Sequence, residues 1–74
     1  MNPLVSTLKE RASALNLSVT ELAKTLGISR SYAYMLLNGE REFGLQTLRS
    51  ILRVFPELKP EVDAYLADGH EDDA

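Results

Sequence analysis

The chain has no cysteine, no tryptophan and a single histidine, His70. Without thiols there is no disulfide, no thiolate metal site and no cysteine nucleophile, so folding must rest on packing alone. One histidine leaves few groups for acid–base work or for a metal site of mixed ligands. An enzyme is therefore not expected, nor is a cofactor or a bound metal. Apolar runs are short as well: none approaches the roughly 20 residues of a membrane helix or the core of a signal segment. No membrane contact is expected, and the expected compartment is the cytoplasm. With 74 residues there is room for one domain, because a chain this short buries only about 60% of the surface it exposes unfolded. Hydrophobic residues at 45% and charged residues at 26% suit an ordinary globular protein.

The net charge of −3 argues against a polyanionic partner until it is divided along the chain. All eight basic residues (Lys9, Arg11, Lys24, Arg30, Arg41, Arg49, Arg53, Lys59) fall in 1–59 with only five acids, giving +3 there. Residues 60–74 carry six acids and no lysine or arginine, giving −6. The reading is a domain over 1–67 followed by an acidic tail, 68–74, which lacks an apolar anchor and is expected to fray. His70, set among acids, is read as part of that solvated tail and not as a metal ligand.

Helix signals recur at short intervals. Asn2 reads as an N-cap with Pro3 at the first helical position, and Leu4, Val5, Leu8, Ala12 and Leu15 form an apolar stripe that predicts a helix over 3–15. Ser18-Val19-Thr20-Glu21 is a capping box, and Leu17 with Leu22 adds a hydrophobic staple, so a second helix starts at Val19. Gly27 ends it in a left-handed conformation. Ser29, two residues on, caps a third helix running to about Leu37, closed by Asn38-Gly39. Residues 40–44 have no period and read as an exposed connection, with Phe43 folding inward. Leu45, Leu48, Ile51, Leu52 and Phe55 predict a fourth helix limited near Val54 by Pro56. Pro60 opens a shorter fifth helix that turns Val62, Tyr65 and Leu66 to the core. The fold class is all-α.

Two short helices joined at Gly27 make a helix-turn-helix. Ala23 faces the partner helix, where a small side chain permits a close crossing, and Leu22, Leu26, Ile28, Ala33 and Leu36 supply the seam. Over Leu17–Ser29, then Ala33, Leu36, Asn38-Gly39 and Thr47–Leu52, the sequence resembles the helix-turn-helix domains of the phage repressor and Cro type, the XRE-like family. The resemblance covers about 4–55. Departures are Phe43-Gly44, where many members have proline and a hydroxyl cap, and Leu37, where many have Glu or Arg.

That resemblance implies a compact five-helix, lambda-repressor-like domain and sequence-specific binding of double-stranded DNA by a transcriptional regulator that acts by occupying an operator. The third helix is the expected reading head in the major groove. By periodicity Arg30, Ser31, Tyr34 and Met35 point outward, and they are the candidate base contacts, Arg30 foremost for bidentate recognition of guanine. Candidate contacts to the DNA backbone are Ser18, Thr20, Ser29, Tyr32, Asn38, Arg41, Gln46 and Thr47. Phe55, Leu58, Val62, Tyr65 and Leu66 offer more apolar surface than one small domain readily covers. They are the expected interface of a homodimer on a palindromic operator. A rival reading makes the same scaffold a protein-binding module, such as an antitoxin or antirepressor, with Tyr34, Met35 and Leu37 as its interface.

Overall fold

The computed structural model describes residues 3–68. The expected cap at Asn2 and the acidic residues beyond Asp68, His70 among them, lie outside that range. Five helices follow one another: α1 (Pro3–Ala14), α2 (Val19–Leu26), α3 (Arg30–Leu37), α4 (Leu45–Val54) and α5 (Lys59–Ala67), with a 3₁₀ turn at Pro56–Leu58 leading into α5. There is no strand among the described residues. The radius of gyration, 11.2 Å, is close to the roughly 11 Å of a compact chain of this length.

Three of the helix ends share one device. At each, the amide of a left-handed residue and the amide that follows it bond back to carbonyls of the last turn. Asn16 (φ 58) closes α1, its amide reaching the Ser13 carbonyl at 3.0 Å while the Leu17 amide reaches Ala12 at 2.8 Å. Gly27 (φ 73) closes α2 through its own bond to Lys24, 3.2 Å, and that of Ile28 to Ala23, 3.0 Å. Gly39 (φ 78) does the same for α3 through Leu36 and Met35. At Asn38 the expected freedom of backbone is not used, since it keeps a helical φ of −88.

The first of these stops corrects the apolar stripe of α1. Leu15 is 57% exposed, and beyond the left-handed turn at Asn16 it is Leu17 that packs against the core. The starts follow the sequence signals. Ser18 Oγ accepts the Glu21 amide at 3.1 Å, and the Ser18 amide donates to Glu21 Oε1 at 2.9 Å. Ser29 Oγ accepts the Tyr32 amide at 3.1 Å. Gly44 starts α4 with no side-chain cap.

A single core joins all five helices: Leu4, Val5 and Leu8 of α1, Leu22 and Leu26 of α2, Leu36 of α3, Leu48 and Ile51 of α4, and Val62 and Tyr65 of α5, with Phe43, Phe55 and Leu58 from the connections. α2 packs chiefly on α3, while α5 packs on α1. This packing corrects the expected dimer interface. Phe55, Leu58, Val62 and Tyr65 are all buried within the one chain, because the 3₁₀ turn at Pro56–Leu58 folds α5 back over α1. Leu66 alone of that set is half exposed.

Gly27 is the joint on which α3 depends. A methyl group there would meet nothing within 4 Å, so Gly27→Ala adds backbone strain without a clash. It should cost about 1–2 kcal/mol, read as a lower urea midpoint at unchanged slope, with the helical circular dichroism retained.

Candidate nucleic-acid interface

α3 buries Ala33 and Leu36 against the core, and its opposite side faces out. Arg30 and Ser31 in its first turn are exposed, Tyr34 is 49% exposed and Met35 is half-buried. The four candidate base contacts thus share one outward strip of a helix whose sequence, RSYAYMLL, contains no acid. Arg30 sits in the first turn, where the helix dipole disfavours a cation by about 0.3–1 kcal/mol. It has no ion-pair partner among the described residues. None of the described residues pairs with it to offset that placement, whereas an external anion or a guanine edge would.

The other candidates divide by burial and by what their polar atoms already do. Ser18, Ser29, Asn38, Arg41 and Gln46 are exposed, and Thr20 is half-buried. Each capping serine accepts a backbone amide, which leaves its hydroxyl proton available to a phosphate oxygen. Two candidates lie elsewhere. Thr47 is buried, 5% exposed, since it shares the core-facing side of α4 with Leu48 and Ile51. Tyr32 is half-buried and turned toward the α3–α4 connection, its hydroxyl donating to the Glu42 carbonyl at 3.3 Å and accepting the Gly44 amide at 3.4 Å. Thr47 thus presents little surface, and the Tyr32 hydroxyl already has two backbone partners.

A second tyrosine holds the same connection, which the sequence reading left as a plain exposed loop. The Tyr65 hydroxyl donates to Glu42 Oε1 at 2.6 Å and accepts the Phe43 amide at 2.8 Å. Its ring meets Phe43 edge-on at 5.3 Å and 82°. Residues 42–44 are therefore pinned from α3 by Tyr32 and from α5 by Tyr65, and Arg41 leads into the pinned stretch. Burial pushes the Tyr65 hydroxyl up to about 12, helped by its bond to the Glu42 carboxylate and opposed by the Phe43 amide.

Lys9 is the residue that sequence reading left without a role. It was placed on the outward side of α1, and it borders, with Asn38, both clefts that open between α1 and the end of α3. No local signal could have paired it with Asn38, because the approach depends on how α1 crosses the bundle. No group of three or more metal-ligating side chains occurs among the described residues, and none of their helices is long and apolar enough to cross a membrane.

The raised pKa of Tyr65 fixes the sign of an alkaline effect. A folded value of about 12, against about 10 unfolded, means that the neutral phenol stabilises the fold fully below pH ~10 and that this contribution is lost as pH rises through about 12. Titration by tyrosinate absorbance should show one of the three tyrosines ionising late, a component that Tyr65→Phe removes. An unchanged titration in that variant would contradict the pinned geometry.

Compared with known proteins, the chain matches a family model described as helix-turn-helix over residues 8–61. No curated protein and no solved structure matches it.

Proposed function

The chain belongs to the helix-turn-helix family of the phage repressor and Cro type, and from that premise we propose that it is a sequence-specific, double-stranded DNA-binding transcriptional regulator that acts by occupying its operator. The observation that carries this reading is the outward strip of α3, with Arg30 uncompensated at its start and Ser31, Tyr34 and Met35 behind it. An α-helix presenting such a strip fits the major groove, and its first residues reach base edges. Arg30 is assigned to guanine by bidentate hydrogen bonding, and Ser31 to either hydrogen-bonding class of edge. Tyr34 and Met35 are assigned to apolar contact with a thymine methyl.

Ser18, Thr20, Ser29, Asn38, Arg41 and Gln46 are assigned to phosphates on either side of that groove. Such contacts set register and add affinity for any duplex. Regulation of this kind operates where the DNA is, in the cytoplasm. Two copies on a palindromic operator would place their reading helices about 34–36 Å apart, one duplex turn. The DNA itself would supply much of that pairing, because four of the five side chains expected to join the copies are inside the monomer core. The exposed Tyr34 and half-buried Leu37 favour one second reading, docking of another protein on the same strip.

Selection of binding sites from random duplexes tests the proposal. It should return an enriched motif with two half-sites, and Arg30→Ala should flatten the preference at one position per half-site, a discrimination of about 1–3 kcal/mol. Gln46→Ala should instead weaken all duplexes about equally. An empty selection, with affinity for DNA independent of salt, would favour the protein-docking reading. Sedimentation should find a monomer in the free state and two copies per operator.

A further inference from the structure

The chain has three asparagines, Asn2, Asn16 and Asn38, and the residue after each separates them chemically. An asparagine loses its side-chain amide when the backbone nitrogen of the next residue attacks Cγ and closes an imide ring. Asn2 precedes Pro3, whose nitrogen carries no proton to give up. Asn16 precedes Leu17, whose side chain packs against the core and whose amide is bonded to the Ala12 carbonyl at 2.8 Å. Asn38 precedes Gly39, which has no side chain to shield the attacking nitrogen, and a methyl group built there would meet nothing within 4 Å.

Asn38 and Gly39 are both exposed at the end of α3. Among the described residues the side-chain amide of Asn38 has no hydrogen-bond partner, so Cγ is open to water and to its own backbone. One contact restrains the reaction. The Gly39 amide donates to the Leu36 carbonyl at 3.2 Å, at the long end of the N–H···O range, and its nitrogen becomes a nucleophile only once that bond opens and the proton leaves. Asn38 keeps a helical φ of −88 with ψ at −2, which carries the Gly39 nitrogen along the last turn and not onto Cγ. Helix ends open locally at a far lower cost than the whole fold, and release of this one turn is enough.

We propose that Asn38 is a site of hydrolytic deamidation, gated by the last turn of α3, that ages the protein out of its DNA-binding form. The Gly39 nitrogen gives up its proton and bonds to Cγ of Asn38, the side-chain Cγ–nitrogen bond breaks, and the amide takes up a proton and leaves as ammonia. Water then opens the imide at either carbonyl. Attack at Cγ leaves an aspartate on an intact backbone, whereas attack at the backbone carbon leaves the chain running through the side-chain carbon as isoaspartate. Water is the only co-reactant, and nothing is oxidised or reduced. Either product places a negative charge where Asn38 is assigned to a phosphate, so a modified copy is repelled by the duplex. This consequence rests on the DNA-binding reading and adds regulation to it: a copy seated on DNA has the end of α3 held closed and is protected, while free copies lose affinity with age.

Peptide mapping by mass spectrometry, on the full chain incubated in warm buffer and digested afterwards, tests the site. Asn38 should convert to a mixture of aspartate and isoaspartate while Asn16 and Asn2 stay unchanged. Conversion should be several-fold faster in the urea-unfolded chain and several-fold slower with a saturating selected duplex. No conversion at Asn38, or equal conversion at Asn16, would overturn the site, and equal rates in the folded, unfolded and duplex-bound states would overturn the gate. Duplex affinity of the incubated protein should fall in proportion to the fraction converted. Asn38→Asp should lower affinity for a selected and a random duplex alike, and Asn38→Gln, whose longer side chain closes a ring far more slowly, should keep its starting affinity over the same time. Full affinity in Asn38→Asp, or an equal decline in Asn38→Gln, would overturn the regulatory role and leave the DNA-binding reading standing. Absence of any duplex affinity in the unaltered protein would overturn that reading together with the regulatory role, and leave hydrolysis at Asn38 standing.

Discussion

The arrangement depends on how the backbone leaves α2. The amides of Gly27 and Ile28 turn back to the carbonyls of Lys24 and Ala23, and only Ile28 and the capping Ser29 separate that stop from the first turn of α3. With so short a joint, the direction of α3 is set by a single left-handed residue and by the packing of the two helices. Ala23, 2% exposed, lies in that packing, where a longer side chain would overfill the crossing and force the helices apart at a cost of about 1–3 kcal/mol. The orientation of the outward strip is thus a consequence of backbone stereochemistry and of one small side chain.

A second layer of order lies in the connection after α3. It has no regular structure, yet its residues 42–44 are tied by hydroxyls from two helices and by an aromatic contact in the core. Loops that present polar groups to a ligand lose less entropy on binding when they are already fixed.

Much of this was legible in the sequence where cause and effect lie within one turn. The capping box at Ser18, the cap at Ser29 and the stop at Gly27 involve partners three to five residues apart, and the helices begin and end where those signals put them. The end of α1 was missed by one residue because periodicity alone carries Leu15 onward, and asparagine is a weaker sign of a left-handed stop than glycine. Thr47 could have been placed inside, since it stands one helical turn before Ile51 on the same side. Tyr65 and Glu42, 23 residues apart, could not have been paired by any local rule. The apolar residues near the C-terminus showed their wish for burial but not against which body. The 3₁₀ turn at Pro56–Leu58 decided that in favour of their own chain. The outward strip of α3 was readable from its period.

The central claim is that the outward strip of α3 is the surface that enters a duplex. Amide chemical-shift changes on addition of a selected duplex measure this directly. The account predicts the largest changes at Ser29–Met35, followed by Asn38 and Arg41, with little at the buried face of α5. Changes centred elsewhere, with the α3 amides unmoved at saturation, would contradict it.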